Sequence, residues 1–370
     1  MSFLSNLFSK KSKGIGVELT PERVNVAQIR RKGQAFRLSQ LISADVPEGV
    51  FREGQILEPS AMADILQELF AEHKIKTDAV ATAISGGRDT VTRIIPVPAE
   101  LSDSELREMV LNQEAGLYLP FPREEADVDY QKLGFFVDED GIEKVQVLLV
   151  ATRKEVTDNY LMTFQQAGLD VDILEISSFS LIRTIREQLR QFTPQEAVAI
   201  VDTEFENTEI SIVVDGVPHF SRTVPIGTYQ IQSALSRAMN LPPSRNTDLL
   251  QGMTIPVTPM DSVGVPQMGA GTNPGTAAMI RVLGELADEL RRSIDFYLNQ
   301  GEELEVAQLL LSGPGAAIGQ LDEFFSQRLS LPATQIDPIS ALSLELESDI
   351  PDIQRSGLGV VIGLGLREAW

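Results

Sequence analysis

The sequence contains no cysteine and only two histidines, His73 and His219. Without cysteine there are no disulfide bonds and no thiol-ligated zinc, and two histidines disfavour a histidine-based metal site. A reducing cytoplasm therefore fits the chain best. Basic residues are also scarce, with 31 Lys and Arg against 53 Asp and Glu, and the net charge of −22 repels phosphate backbones. We expect no nucleic-acid partner.

Long apolar runs are missing as well. No stretch reaches the ~18–20 residues that span a bilayer, and the start of the chain has no secretory signal. Residues 1–13 carry four apolar side chains that would share one helical stripe, namely Phe3, Leu4, Leu7 and Phe8. Three lysines follow this stripe. The pattern is consistent with contact with an anionic membrane surface, and the alternative is a frayed terminus.

The chain is long enough for two domains, because its 370 residues exceed the ~250–300 at which single cores stop growing. An α/β pattern occurs twice. Each copy begins with a meander of three strands, and the first strand carries an acid near its end, Glu18 in one copy and Asp202 in the other. This repetition predicts a duplicated fold, with a first half at 14–176 and a second half at 177–370.

A segment at about 99–170 interrupts the first half. Ser102 and Glu105 form the capping box of a helix that Pro120 ends. Two strands joined by an Asp-Glu-Asp-Gly turn follow, and then a helix that ends at Gly168. This order of elements predicts an inserted α+β subdomain.

Two further segments of the second half have distinctive compositions. Residues 254–276 are rich in Gly, Pro and Thr and have no apolar period, so we expect a mobile surface loop before a long helix at 277–300. Residues 345–352 form an acidic connector. The chain closes with GLGVVIGLGLREA, which is too short to span a membrane and predicts a tightly packed core helix.

Four stretches resemble a known family. QEAGLYLPFP at 113–122 is similar to the hallmark of the PilM family of type IV pilus assembly proteins, in which a glutamate, an aromatic residue and a Pro-Phe-Pro exit end this helix. Residues 151–183, ELRRSIDFY at 289–297 and the closing GLGLR also resemble the family. The similarity extends over nearly the whole chain.

The resemblance implies an actin-like ATPase fold, with duplicated ribonuclease-H-like halves and an inserted α+β subdomain in the first half. It implies a cytoplasmic scaffold of the pilus machine that binds the N-terminal cytoplasmic segment of PilN and lies at the inner membrane through its partners. Through PilN it would reach PilO indirectly, and it would link this complex to the motor ATPases or the platform protein. Self-association is a further expectation for such a scaffold.

In the family, the PilN groove lies between the first subdomain and the inserted one. The helix at 102–118 and its exit are therefore our candidates to line it, and the proposed partner-binding residues are Tyr118, Leu119 and Phe121. Aromatic side chains of this kind often dominate binding energy. The alternative for Tyr118 and Phe121 is ordinary packing against the neighbouring strands.

Actin-like folds bind ATP between two facing hairpins, here residues 16–23 and 201–208, with a Gly-rich turn at 311–316 against the adenosine. Backbone N–H groups of tight turns hold the phosphates, and an acid holds Mg²⁺ through water. The resemblance implies these nucleotide-binding candidates: Glu18, Thr20, Asp202, Thr203, Asn207, Thr208, Glu289, Arg292, Ser293, Gly313 and Gly315. Asp202 is also the candidate for hydrated Mg²⁺, and Glu175 and Asp202 are weak catalytic candidates.

The two hairpins depart from the family pattern. Thr20 and Glu204 stand where the family has glycine, and Pro21 removes a backbone donor. Glu22 and Glu206, like Glu204, add negative charge where a phosphate would sit, which costs several kcal/mol per close pair at an effective dielectric of ~20. We therefore predict weak or absent ATP binding and weak hydrolysis at most.

Two other classes of protein were weighed. An actin-superfamily ATPase or sugar kinase would need glycine-containing phosphate hairpins and a base in the cleft, and neither is evident. A filament-forming protein resembling FtsA normally ends in an amphipathic membrane helix, whereas this sequence ends at Arg367, Glu368, Ala369 and Trp370. Both remain as alternatives to the scaffold.

Overall fold

The computed structural model describes residues 14–33, 35–76, 78–87, 89–256, 273–299 and 304–367. The tail at 1–13 and most of the expected loop at 254–276 lie outside these residues. Within the described part, no helix combines the length and the apolar character that crossing a membrane requires.

The first sheet begins with the expected meander. Its elements, in chain order, are β1 (Ile15–Leu19), β2 (Arg23–Lys32), β3 (Ala35–Asp45), β4 (Phe51–Arg52), β5 (Gln55–Ile56), α1 (Pro59–Glu72) and β6 (Ala79–Ile84). β1 is buried along its whole length because β2 and β6 pair with it on either side. The apolar face of α1, with Met62, Leu66 and Phe70, lies in the core of this first half.

The inserted subdomain is a three-stranded sheet with one helical segment on it. Its elements are β7 (Thr90–Pro98), α2 (Asp103–Glu108), a π-helical turn (Met109–Glu114), α3 (Ala115–Tyr118), β8 (Ala126–Val137) and β9 (Glu143–Arg153), and α4 (Lys154–Gln166) and β10 (Asp170–Ile176) follow it. The capping box forms as the sequence predicts, since the Glu105 N–H bonds the Ser102 hydroxyl and the Ser102 N–H bonds the Glu105 carboxylate.

The extent of this subdomain differs from the expected 99–170. The strand order β7-β9-β8 includes β7, which lies before residue 99. At the other end, α4 buries Tyr160 and Phe164 in the core of the first half, and β10 pairs with β6. The insertion in the structure is therefore closer to 90–153, because β7 pairs with β9 along the full length of β7.

The second half contains a five-stranded sheet in the order β13-β12-β11-β14-β15. Its elements are α5 (Ser177–Thr184), α6 (Arg186–Leu189), β11 (Glu196–Thr203), β12 (Thr208–Val214), β13 (Val217–Val224), α7 (Thr228–Ala238), α8 (Pro274–Leu298), β14 (Glu305–Ser312), α9 (Leu321–Leu329), β15 (Ala333–Gln335), α10 (Pro338–Ala341), β16 (Glu345–Leu346), α11 (Asp352–Arg355) and α12 (Gly359–Leu366). The helix α8 begins earlier than expected. Asn273 caps it by accepting the Gly275 N–H, so residues 274–276 are helical and not loop.

The last residues of the chain return to the first half. β16 lies in the segment expected to be only a connector, yet it pairs with β3 and extends the first sheet to β10-β6-β1-β2-β3-β16. α12 packs on β1 and α5 as a buried helix, in agreement with the sequence. Its glycines are required by these contacts, since a Cβ at Gly363 would collide with the Ser180 carbonyl oxygen. Residues 345–366 therefore complete the first half.

Candidate functional site

Two concave regions of the molecule could hold a ligand. The first, which we call the cleft, lies between the β1–β2 turn (residues 20–22) and the β11–β12 turn (residues 204–207), where the two halves meet. The second, which we call the groove, lies between β8 of the inserted subdomain and β10 of the first sheet.

The two turns of the cleft face each other as the family resemblance predicts, but the N–H groups of Thr20 and Glu204 are already used. The Thr20 N–H donates to the Arg23 carbonyl at 2.9 Å, and the Glu204 N–H donates to the Asn207 carbonyl at 2.9 Å. Phosphate binding by a turn depends on N–H groups that point at the ligand. Neither residue offers such a donor in this arrangement.

The glycine-rich turn after β14 closes the cleft from one side. Gly313 has φ of 81°, and a Cβ there would collide with the Thr203 carbonyl, so only glycine fits. Gly315 packs against the Thr203 side chain in the same way. Thr203 and Thr208 are themselves buried, and the Thr208 hydroxyl donates to the Ile226 carbonyl at 2.6 Å. These residues hold the turns together and do not face the cleft.

Four carboxyl groups converge in the cleft. Burial raises the pKa of Glu18 to about 7, with the Asn25 amide opposing and the Asp202 charge reinforcing this shift. Burial likewise raises the pKa of Asp202 to about 7, with a contribution from Glu209. The pKa of Glu204 lies well above its ordinary value because of burial and then the charges of Asp202 and Glu18. Because burial already disfavours the ionised form of these carboxyl groups, the cleft is a poor host for further negative charge.

Glu22 is the fourth of these groups. Burial raises its pKa to about 7, although the Thr247 hydroxyl donates a hydrogen bond to it at 3.0 Å. Asp202 is unusual in another respect, because its Oδ1 is buried without a hydrogen-bond partner among the described residues. No group of three acidic or histidine side chains in the described ranges is arranged to hold a metal ion.

The space left in the cleft is small. Between the two turns it has a volume of about 50 Å³, and a chamber of about 280 Å³ lies on the other side of Glu18 and Glu204. Sites for drug-sized ligands commonly measure ~300–1,000 Å³. The occupied N–H groups, the carboxyl cluster and this volume do not fit ATP with Mg²⁺ in the arrangement described.

Direct contacts between the halves close the cleft, and the sequence did not reveal them. The Glu206 carboxylate accepts the Glu53 N–H at 2.6 Å. The Arg23 guanidinium bonds Asp248 at 3.2 Å, and Arg245 donates to the Pro21 carbonyl at 2.9 Å. Residues 245–248 are more than 200 positions from the turn they contact, and no local pattern marks them.

Glu175, a weak catalytic candidate, and three of the predicted nucleotide-binding residues, Glu289, Arg292 and Ser293, lie elsewhere. Glu175 does not line the cleft. It lines the groove, where its carboxylate accepts two hydrogen bonds of 2.7 Å from the Arg183 guanidinium. On α8, Glu289 bonds Arg222 of β13 and its helical neighbour Arg292, and Ser293 is fully buried. Glu289 and Ser293 join the helix to Arg222 of the second sheet, and none of the three α8 residues lines either chamber of the cleft.

The groove is larger, with a volume of about 480 Å³. Residues 127–131 of β8 line one side and residues 173–176 of β10 line the other, and each strand is the outermost of its sheet. Apolar side chains form its floor, including Leu148 and Val150 of β9 and Phe179 of α5. Charged side chains lie at its borders: Asp127, Asp129, Glu175, Arg183 and Arg367.

The predicted partner residues are not in this groove. Phe121 is only 6% exposed and lies under the Arg153 guanidinium, 4.6 Å from the ring centroid, so it is a core residue. Tyr118 is 37% exposed but does not line the groove, and neither does Leu119. The reason is strand alternation. The segment α2–α3 covers the face of β9 that carries Val147, whereas the groove uses the opposite face with Leu148.

Comparison with known proteins identifies the family. The family model for the type IV pilus assembly protein PilM matches residues 16–249 and 281–369. The chain belongs to the PilM family. The resemblance predicted from the sequence is thereby confirmed, and the match includes both turns of the cleft and both strands that border the groove.

Solved structures show the same fold. A PilM-PilN type IV pilus biogenesis complex is similar with a TM-score of 0.80 and 24% identity, covering 97% of this chain and 99% of that one. EutJ, an ethanolamine utilization protein of Carboxydothermus hydrogenoformans, has a TM-score of 0.51 and 12% identity over 95% and 88% of the two chains. MreB5 of Spiroplasma citri bound to ADP has a TM-score of 0.52 and 13% sequence identity, covering 96% of this chain and 95% of that one. The predicted actin-like fold is confirmed.

Proposed function

We propose that this PilM-family chain is a cytoplasmic scaffold of the type IV pilus machine that binds the N-terminal cytoplasmic segment of PilN in the groove. It would thereby link the inner-membrane complex, and PilO through PilN, to the motor ATPases or the platform protein. The observation that carries the proposal is an open groove of about 480 Å³ between the outer edges of two sheets. A similar solved structure is a complex of PilM with PilN, which supports the choice of partner.

The edges of β8 and β10 suit an extended peptide. An edge strand presents unpaired N–H and C=O groups, and a peptide that pairs with them gains main-chain hydrogen bonds while its alternate side chains enter pockets. One such donor, the Tyr130 N–H, is bonded by the carboxylate of Asp129 at 2.9 Å. A bound strand would displace this carboxylate. The apolar floor, with Leu148 and Phe179, would take up the side chains that point inward.

The charges at the border of the groove add specificity. Arg183 is held by Glu175 and also donates to the Gly363 carbonyl at 3.0 Å, so its guanidinium is fixed before any partner arrives. Arg367 is 49% exposed and lies 3.5 Å from the same carboxylate. A preformed site avoids the entropy of ordering the host, and this favours binding of a short segment.

The test is titration calorimetry of the full chain with a synthetic peptide of the PilN N-terminal segment. Phe179→Ala removes an aromatic side chain from the groove floor and should weaken binding by about tenfold or more. Phe135→Ala is the matched control, because Phe135 is 68% exposed on β8 outside the groove. Thermal unfolding of both variants verifies that they are folded. Unchanged affinity in folded Phe179→Ala would reject the groove, and equal losses in both variants would reject its specificity.

We infer in addition that PilN binding does not require nucleotide. MreB5, a solved structure with the same fold, was determined with ADP bound. In this chain the carboxyl cluster and the small volume of the cleft disfavour nucleotide binding. Contacts such as that of Glu206 with the Glu53 N–H join the halves without a ligand. The same titration repeated with and without Mg-ATP should give equal affinities. A strong dependence on Mg-ATP would overturn this inference and leave the groove proposal intact.

A further inference from the structure

The inserted subdomain, residues 90–153, is attached to the first half at its base. The Arg153 N–H, where the chain leaves the subdomain, donates to the carbonyl of Asp89, where it enters, at 3.1 Å. The Arg153 guanidinium donates to the Asp89 carboxylate at 3.0 Å. The other carboxylate oxygen accepts the side-chain amide of Gln55, in β5 of the first half, at 2.7 Å. These three residues, which we call the pivot, fasten the entry and the exit to each other and to the first half.

The two outer strands of the subdomain face different parts of the molecule. In the order β7-β9-β8, the strand β8 borders the groove. At the opposite edge, β7 lies beside β13, which is the outer strand of the second sheet. All three strands have one end near the pivot, since Thr90 pairs with Thr152 and Ala126 pairs with Arg153. A rotation about the pivot that moves β7 away from β13 therefore brings β8 towards β10 and narrows the groove.

The entry segment touches the second half at one glycine. Gly86 lies between β6 and β7, and a Cβ there would lie 2.3 Å from a carboxylate oxygen of Glu209 in β12. Glu209 is buried and is held by its own sheet, because its carboxylate accepts the hydroxyls of Ser211 at 3.1 Å and Ser221 at 2.7 Å. A Cβ at the neighbouring Gly87 would meet nothing within 4 Å. The close approach therefore belongs to Gly86 and not to the segment in general.

We propose that the inserted subdomain is a lever, in which the contact between Gly86 and Glu209 couples the width of the groove to the position of the second half. A movement of Glu209 towards Gly86 would push the entry segment, turn the subdomain about the pivot and narrow the groove. An extended segment bound between β8 and β10 would hold the groove open and press β7 towards β13. Because both effects belong to one equilibrium, the coupling acts in both directions. The identity of the bound segment rests on the proposed function, whereas the lever does not.

The test is a distance measurement by pulsed electron spin resonance on the full chain without a partner. Because the sequence has no cysteine, two introduced cysteines carry the only spin labels. Glu139→Cys places one label in the exposed turn at the tip of the subdomain, and Asp172→Cys places the other at an exposed position of β10. β9 has 11 residues and therefore spans ~35 Å, so a rotation of about 5° moves the tip by about 3 Å.

Gly86→Ala should shorten the mean distance between the labels by about 3 Å or more, because its methyl group would push against the Glu209 carboxylate. Gly87→Ala is the matched control, since it makes the same change one residue further on in open space, and it should leave the distance unchanged. Adding Glu209→Ala to Gly86→Ala removes the obstacle and should restore the wild-type distance. Thermal unfolding verifies that each variant is folded.

An unchanged distance in folded Gly86→Ala would overturn the proposal, and so would an equal change in Gly87→Ala. If Gly86→Ala does not fold, Glu209→Ala alone decides the question. Without the carboxylate the entry segment can move towards the second half, so the distance should lengthen. The wild-type distance in that variant would overturn the lever.

Calorimetry with the PilN peptide separates the lever from the proposed function. Gly86→Ala should weaken binding by about fivefold or more, as coupled sites commonly do, whereas Gly87→Ala should bind as the wild type does. A shortened distance with unchanged affinity would overturn the control of the groove by the lever. If the wild type does not bind the peptide, the choice of partner fails, and the distances measured without a partner still decide the lever.

Discussion

The cleft and the groove both lie where two sheets meet, and both collect charged side chains. In the cleft, carboxyl groups from the two turns face each other, and about 50 Å³ of space remains between the turns. In the groove, the edges of β8 and β10 stay apart, and an ion pair between Arg183 and Glu175 lies at one border. The two regions therefore have similar positions between sheets but leave very different volumes for a ligand. In the described residues, the groove has a volume of about 480 Å³ and is bordered by the edge strands β8 and β10, whereas the cleft is largely filled.

One helix joins the two regions. Val360, in the first turn of α12, lines the cleft, and Arg367, just after its last turn, borders the groove. Between them, the Gly363 carbonyl accepts a hydrogen bond from Arg183. A substitution in α12 should therefore disturb the cleft and the groove together.

We expect the largest effect from Gly363→Ala. The added Cβ would collide with the Ser180 carbonyl oxygen and its hydroxyl, and backbone there cannot move without displacing α5. Overpacking of this kind should lower the free energy of unfolding by about 3 kcal/mol. Chemical denaturation measures it. Gly252→Ala is the control, because a Cβ there meets nothing within 4 Å and should change little. Equal stability of the two variants would show that α12 is not tightly held.

A smaller and pH-dependent effect is expected in the cleft alone. Burial raises the pKa of Glu18 from 4.5 to about 7, so the folded protein holds a proton that the unfolded chain releases. This stabilisation is fully present below the unfolded pKa and is lost as the pH rises through about 7. Glu18→Gln removes the titration and should stabilise the protein by up to about 3 kcal/mol above that pH relative to the wild type.

The measurement is the free energy of unfolding as a function of pH. Between about pH 4.5 and 7, the wild type should lose stability with rising pH more steeply than Glu18→Gln does. Glu285→Gln serves as the control, since Glu285 is an exposed carboxyl on α8 and should leave the slope unchanged. If Glu18→Gln has the wild-type slope, the cleft carboxyls are not coupled to folding in this way.

The smallest effect concerns nucleotide. Thr20→Gly with Glu204→Gly restores backbone flexibility to both turns and removes one carboxyl from the cluster, so ATP affinity should rise by about tenfold from a weak starting value. Calorimetry with Mg-ATP measures it, and PilN-peptide affinity should stay constant. Tight Mg-ATP binding by the wild type would contradict the comparison, because the cleft would then be a ligand site like the groove.

Much of the fold was predictable because its signals are local. Alternating apolar residues indicated the meanders, Ser102 and Glu105 indicated a helix start, and Gly363 indicated a closely packed final helix. Local patterns also indicated the hairpins at 16–23 and 201–208, whereas the expectation that they face each other came from the resemblance to actin-like folds. These patterns need only neighbours in sequence.

For the groove, the family resemblance indicated a place between the first subdomain and the inserted one, but the residues that line it were not predictable in the same way. Its borders come from β8, β9, β10 and α5, and which faces of these elements meet depends on sheet order and not on composition. The aromatic residues near Pro120 were predicted to bind the partner because aromatic anchors are common in interfaces. Phe121 is instead packed under Arg153, and a π-helical turn precedes Tyr118. Such a turn shifts the phase of side chains along a helix, and no sequence pattern marks it.

The return of the C-terminal residues to the first sheet has a consequence for synthesis of the chain. β1 emerges from the ribosome long before α12, which packs on it. Contacts so distant in sequence slow folding, and N-terminal domains usually fold first during translation. Here the first half must wait with the apolar side chains of Ala27 and Ile29 in β2 uncovered until α12 has been added. We expect nascent chains that stop before Gly359 to depend on chaperones or to be degraded.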